Sequence, residues 1–131
     1  MKTSTILLSN LLKIIPEATD EIQCYHWNVK GPNFTTTHAN LGEVYDLLID
    51  WTDIIAERIK AIEPGLQVVK GSSTVVIPLS NEAEIVTRTI SILTQLINVI
   101  KSTELDDVSA NKLQEFTYEL DKWVWKFTNS Q

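Results

Sequence analysis

Four segments of this chain repeat apolar side chains every three or four residues, and none alternates with the period of two that a half-buried strand needs. This regularity predicts helices joined by turns. The first stripe runs through Leu8, Leu11, Ile15, Ala18, Ile22, Tyr25 or His26, and Val29, with Pro16 inside it. Proline removes one helical hydrogen bond and crowds the preceding turn, so a kink is expected there. The stripe keeps its phase across the proline, which predicts one bent helix and not two. Gly31-Pro32-Asn33 then stops it with turn-forming residues at every position.

Thr35, Thr36 and Thr37 are candidate caps for a second helix, whose apolar face is Leu41, Val44, Leu48, Trp51, Ile55, Ile59 and Ile62. About 26 residues at about 1.5 Å each make it roughly 40 Å long. Glu63-Pro64-Gly65 ends it. Residues 66–81 read as a linker containing Gly71-Ser72-Ser73 and Pro78, in which residues 74–77 are either extended or packed as a short patch. A third helix, capped by Ser80 or Asn81, carries Ile85 or Val86, Ile90, Leu93, Leu96 or Ile97, and Ile100. After a turn over residues 101–107 comes a fourth, with Val108, Leu113, Phe116, Leu120, Trp123 or Val124, and Phe127.

A short link joins antiparallel neighbours, whereas the long linker between the second and third helices can run back along the bundle and make them parallel. The fold class expected is therefore all-α: a ferritin-like four-helix bundle with a long crossover between helices two and three. At 131 residues, one domain spanning residues 1–131 is expected. The chain is 44% hydrophobic and 21% charged, which suits a soluble protein and not a disordered one.

Net charge narrows the partners. The formal value of −6 repels phosphate backbones, and the eleven basic residues are scattered without a run. Nucleic-acid binding is not expected. Cys24 is the sole cysteine, so no internal disulfide can form, and its phase beside Ile22 marks it as a small buried hydrophobe. The start, Met1-Lys2 then Ile6-Leu7-Leu8, is interrupted by Ser9, Asn10 and Lys13, unlike a secretion signal. No segment approaches a membrane span, and a cytoplasmic, soluble protein is expected.

The second helix carries a second stripe. With His38 at zero and about 100° per residue, Asp46, Asp50, Asp53 and Glu57 fall between about 60° and 120°, opposite the apolar face at about 220° to 300°. A solvated face is the ordinary explanation of such a strip. Yet only Lys60 lies near enough to offset the charge, and acids three or four apart repel one another by a few tenths of a kcal/mol per pair. Such clustering is better tolerated when cations occupy it. His26, in phase with Ile22 and Val29, points toward buried surface, where a hydrogen-bonded core histidine is the common case. Imidazole with carboxylate and no thiolate suits Fe(II), Mn or Zn. A di-metal site within one bundle uses Glu-x-x-His pairs, and this sequence has none. Any metal centre is expected to be assembled from two chains.

The block Tyr25-His26-Trp27-Asn28-Val29-Lys30-Gly31-Pro32-Asn33-Phe34, followed by His38, Leu41, Tyr45, Asp53 and Ile55-Ala56-Glu57-Arg58-Ile59, resembles the Dps family of mini-ferritins. The closing Leu120-Asp121-Lys122-Trp123-Val124-Trp125-Lys126 is similar to that family's last helix. The likeness covers most of the chain and is thinnest in the third helix, as for a short, divergent member. It implies a shell of twelve identical subunits around a cavity, oxidation of Fe(II) with hydrogen peroxide or oxygen, storage of the ferric product, and a role in stress protection. It also implies that iron, or another divalent metal, sits at two-fold interfaces, with His26 and His38 from one subunit and Asp53 and Glu57 from its neighbour. Trp27 would pack beside that site; without the resemblance it reads as core.

Two features depart from the family. It places a carboxylate one turn after the second histidine, where this chain has Gly42, so the iron site is expected to be weakened or to hold one ion, and Gly42→Asp to raise iron affinity. The alternative reading follows: a ferritin-like shell or scaffold whose oxidation centre has decayed. Members that coat DNA carry basic flexible ends, whereas residues 1–5 and 128–131 supply only Lys2. Direct DNA binding is accordingly not expected. Trp123 and Trp125 lie about 200° apart on a helix, so one is expected to pack inward and the other outward.

Overall fold

Pro16 lies inside one uninterrupted helix, α1 (Thr3–Asn28). Having no N–H, it leaves the Leu12 carbonyl four residues earlier without its helical donor. Gly71 of the long linker supplies the missing one, its N–H donating to Leu12 O at 2.9 Å. The approach is so close that a Cβ on Gly71 would stand 2.6 Å from the Lys13 carbonyl oxygen, so glycine is required there. Proline and glycine together lock the crossover onto α1. Nearby, the Ser73 N–H donates to Asp20 Oδ2 at 2.7 Å.

The computed structural model describes residues 2–130; Met1 and Gln131, the outermost residues of the two termini read as lacking basic tails, lie outside the described residues. Besides α1 it contains α2 (Phe34–Ile62), α3 (Glu82–Lys101) and α4 (Asp107–Asn129), and no strand among the described residues. A parallel bridge pairs Lys30 with Asn81. α2 begins at Phe34, ahead of the three threonines, and runs for 29 residues.

Contacts at the helix ends establish the topology. Thr37 at the start of α2 meets Glu82 at the start of α3, so these two helices run parallel. Arg58 near the end of α2 donates to Asp106 and Ser109 at the start of α4, so α4 runs against α2. Lys2 reaches Glu63 at the far end of α2, making α1 and α2 antiparallel. The crossover therefore spans the bundle lengthwise, as the linker length predicts.

The four stripes close on one core. Leu11, Ile15, Ile22, Leu41, Val44, Leu48, Ile85, Leu93, Phe116 and Leu120 are all inaccessible to solvent, and Trp51 stacks on Phe116 at 4.7 Å. Asn81 caps α3 by accepting from Glu84 N at 3.1 Å. Asp106 caps α4 by accepting from Ser109 N at 3.1 Å and pairs with Arg58 at 2.9 Å. Hydrogen bonds from Ser109 first, and then from Arg58 and Ser4, overcome partial burial and hold the Asp106 carboxyl well below the usual carboxylate range.

Several expectations change. Cys24 is half-buried, not buried. Residues 74–77 form no strand, and Val75 and Ile77 stand exposed. One helix, α3, is long and apolar enough by composition to cross a membrane, contrary to the sequence expectation. Its apolar surplus is used in the bundle, where Ile85, Val86, Ile92, Leu93, Leu96, Ile97 and Ile100 are buried. Trp123 packs inward while Trp125 is exposed.

Candidate metal centre

The last turn of α1 and the first turns of α2 bring His26 and His38 face to face. Their rings stack at 3.8 Å with planes 14° apart. His26 Nδ1 lies 2.6 Å from the His38 carbonyl oxygen, and His38 Nδ1 lies 2.7 Å from the His26 carbonyl oxygen. A carbonyl can only accept, so each Nδ1 carries a proton and donates it. The neutral ring then has its lone pair on Nε2, the arrangement of a metal-ligating imidazole whose other nitrogen is held by a backbone acceptor. Both residues are half-buried.

Aromatic and glycine neighbours complete the packing. Phe34 stacks on His38 at 5.1 Å, and Tyr45 meets the His26 ring edge-on at 5.3 Å. Gly42 lies against His26, and a Cβ there would stand 3.1 Å from Cε1 and 3.3 Å from Nδ1. That is tighter than ordinary van der Waals contact. Gly42 is thus not a simple vacancy, because its missing side chain is the space that the His26 ring uses. Any side chain added at this position, a carboxylate included, requires the imidazole that it was expected to assist to shift by a few tenths of an ångström. Trp27 is 63% exposed, so it is surface and not core in the single chain.

The turn between the histidines is braced from α3. Glu82 is buried, and its carboxylate accepts from Asn33 N at 3.0 Å and Thr37 Oγ1 at 2.8 Å. Its own N–H donates to Lys30 O at 2.9 Å, while Lys30 N donates to Ser80 O at 2.8 Å. A Cβ on Gly31 would overlap this carboxylate. A second brace reaches Tyr25, the residue before His26. Glu21 accepts from Tyr25 Oη at 2.6 Å and from Arg88 at 2.7 and 3.1 Å. Burial pushes the Glu21 carboxyl up, but the Arg88 and Tyr25 hydrogen bonds and the Arg88 charge outweigh it, leaving a net lowering. Burial, then the Glu21 hydrogen bond, raises the Tyr25 hydroxyl well above its ordinary value. Neither brace was among the residues singled out from sequence. Glu21 and Tyr25 have the spacing of a helical pair, a signal that was available; Glu82 looks no different from Glu84 in sequence.

The acidic strip lies elsewhere on the chain. Asp46, Asp50, Asp53 and Glu57 are exposed on α2. Asp53 and Glu57 are one turn apart on one face, but fifteen residues separate His38 from Asp53, or about 22 Å of helix. Among the described residues no three His, Cys, Asp or Glu side chains converge on one point. The structure therefore brings His26 and His38 together and leaves Asp53 and Glu57 apart from them. On one chain the two imidazoles and the two carboxylates thus lie in separate regions.

Four helices with a lengthwise crossover, and a donor pair at the α1–α2 turn, define a ferritin-like bundle protein. A model of the ferritin-like domain matches residues 7–130, and the chain belongs to that family. Its backbone matches the C-terminal deletion mutant of Mycobacterium smegmatis Dps with a TM-score of 0.84 at 21% identity, over 97% of this chain and 96% of that one. A Dps protein from Bacillus brevis matches with a TM-score of 0.76 at 23% identity, over 98% and 97%. In sequence the chain is 28% identical to the DNA protection during starvation protein of Brevibacillus brevis over 120 residues, 77% of this chain and 76% of that relative. Its fold is that of the Dps proteins, as the block around His26 implied.

Proposed function

We propose that this protein oxidises Fe(II) and sequesters the ferric product, with each oxidation centre shared between two copies related by a two-fold axis. His26 and His38 of one copy would meet Asp53 and Glu57 of the other, within a shell of twelve. The observation that carries this reading is the imidazole pair, in which two carbonyl-bound Nδ1–H groups leave two Nε2 lone pairs beside each other on a half-buried surface. The separation of the acidic pair on the same chain supports completion by a second copy.

Iron is the substrate. Two Fe(II) ions give one electron each to a peroxide molecule, which takes up two protons and leaves as two waters. Hydrolysis of the Fe(III) formed returns protons to solvent. The chain's own contribution is placement: neutral imidazole nitrogen and carboxylate oxygen are the donor types that suit Fe(II), and carboxylates lower the cost of the higher charge on Fe(III). The fold family and the relative named for DNA protection during starvation support a role against iron and peroxide stress in a soluble protein. The charge of −6 and scattered basic residues favour protection without direct DNA contact.

Anaerobic addition of Fe(II) followed by peroxide tests the reading. Rapid appearance of ferric absorbance, lost in His26→Ala, is expected. Equal rates in wild type and variant reject the site and favour a shell or scaffold without an oxidation centre.

A further inference from the structure

The imidazole pair depends on a geometry that neither histidine enforces alone. Each ring is held by the other's backbone carbonyl, so the end of α1 and the start of α2 must keep a fixed offset. Between them lies Gly31-Pro32-Asn33, and α2 lacks the usual means of fixing its own start. Asn33 makes no side-chain capping bond, and the first turn of α2 contains no acid. Helix N-termini leave backbone N–H groups without intrahelical partners, and a carboxylate there is favoured by the helix dipole.

We infer that Glu82, from α3, is the positioning residue of the His26–His38 pair, acting as a cap for α2 supplied by another helix. It is 4% exposed, and one carboxylate oxygen holds Asn33 N–H while the other holds the hydroxyl of Thr37, the neighbour of His38. The same residue's N–H takes the Lys30 carbonyl, four residues beyond His26. Glu82 thereby ties both sides of the turn to α3. The close fit at Gly31, which leaves no room for a Cβ, shows how tightly the turn is drawn onto this carboxylate. No cation pairs with Glu82 among the described residues; the N-terminal turns of α2 and α3 supply the positive field instead. The hydrogen bonds of Glu82 go to Asn33, Thr37 and Lys30 and not to either imidazole, so its effect passes through backbone placement.

This inference deepens the proposed function, and its test separates the two. Nitrogen NMR of the histidine rings distinguishes the Nδ1–H from the Nε2–H tautomer without any metal, and titration with Co(II) alone reads the site. Wild type is expected to show both rings as Nδ1–H. In Glu82→Ala, His38 loses that tautomer, and Co(II) affinity falls by about 10- to 100-fold, the range for loss of a group that orients a ligand. Glu82→Gln retains an acceptor for Asn33 N–H and an amide that Thr37 can accept from, so it is expected to restore the tautomers and the affinity. Thr37→Val, a milder change should Glu82→Ala fail to fold, is expected to disturb His38 in the same direction. A folded Glu82→Ala or Thr37→Val with both Nδ1–H rings intact overturns the inference, as does a Gln variant no better than Ala. If wild type binds no Co(II), the functional reading fails, while the ring spectra still decide the role of Glu82.

Discussion

His26 and His38 exchange Nδ1–H···O=C hydrogen bonds at 2.6 and 2.7 Å, so each histidine's backbone selects the other's tautomer. The pair is reciprocal: moving either segment breaks both bonds. Twelve residues separate the two histidines in sequence, and the Gly31-Pro32-Asn33 turn folds that interval into a stacked contact. The stacked pair is half-buried, and among the described residues no carboxylate joins it to make a three-donor cluster.

If the proposed centre is shared between two copies, variants in the histidine and acidic regions complement each other. His26→Ala and Asp53→Ala are each expected to lose rapid iron oxidation as homo-oligomers. When the two are refolded together, mixed pairs contain one centre with all four wild-type donors, and activity is expected to return in part. Absence of recovery, with mixing verified by mass, counts against a shared centre.

Gly42 makes a clean test of crowding. Alanine in a helix interior is favoured over glycine by about 1 kcal/mol, but here the new Cβ presses on the His26 ring at 3.1 Å. Gly42→Ala is expected to lower Co(II) affinity without lowering the urea midpoint by much. Gly42→Asp is expected to do the same, because its carboxylate cannot enter without moving the ring. Tighter metal binding in either variant, measured by calorimetry, would show that the ring yields freely.

The crossover lock yields a stability prediction. Gly71→Ala forces a Cβ against the Lys13 backbone and is expected to cost about 1–3 kcal/mol, as overpacking does. Pro16→Ala is expected to gain less than the roughly 3 kcal/mol that removal of an interior helix proline can return. Its restored N–H competes with Gly71 for the Leu12 carbonyl. Urea unfolding of both variants measures these differences, and a harmless Gly71→Ala would contradict the lock.

Acid sensitivity follows from the Glu21–Arg88 pair. In the folded protein the Glu21 carboxyl is lowered from its ordinary 4.5. The unfolded chain therefore takes up this proton at a higher pH than the native one, and stability falls as pH drops below about 4.5 through the native value. Above that range the contribution is complete. Arg88→Met is expected to lower the urea midpoint at neutral pH, with a smaller difference from wild type at about pH 3. A difference that is independent of pH would mean that Arg88 acts through packing alone.

Reading along the chain, the helical period identifies all four elements, because burial of one face per helix imposes a spacing of three or four wherever the core is shared. The crossover follows from linker length, and the acidic strip of α2 follows from residue type and phase, whereas grouping His26 and His38 with Asp53 and Glu57 came from the resemblance of the His26 block to the Dps family. What lies beyond pattern is pairing at a distance. That Leu12 and Gly71 would meet, that Glu82 and not Glu84 would turn inward, and that Gly42 would shelter an imidazole depend on which backbone atoms come within about 3 Å in three dimensions. Spacing within one helix contains no such information, since a helix repeats its own geometry but does not specify the angle and depth at which a neighbour packs.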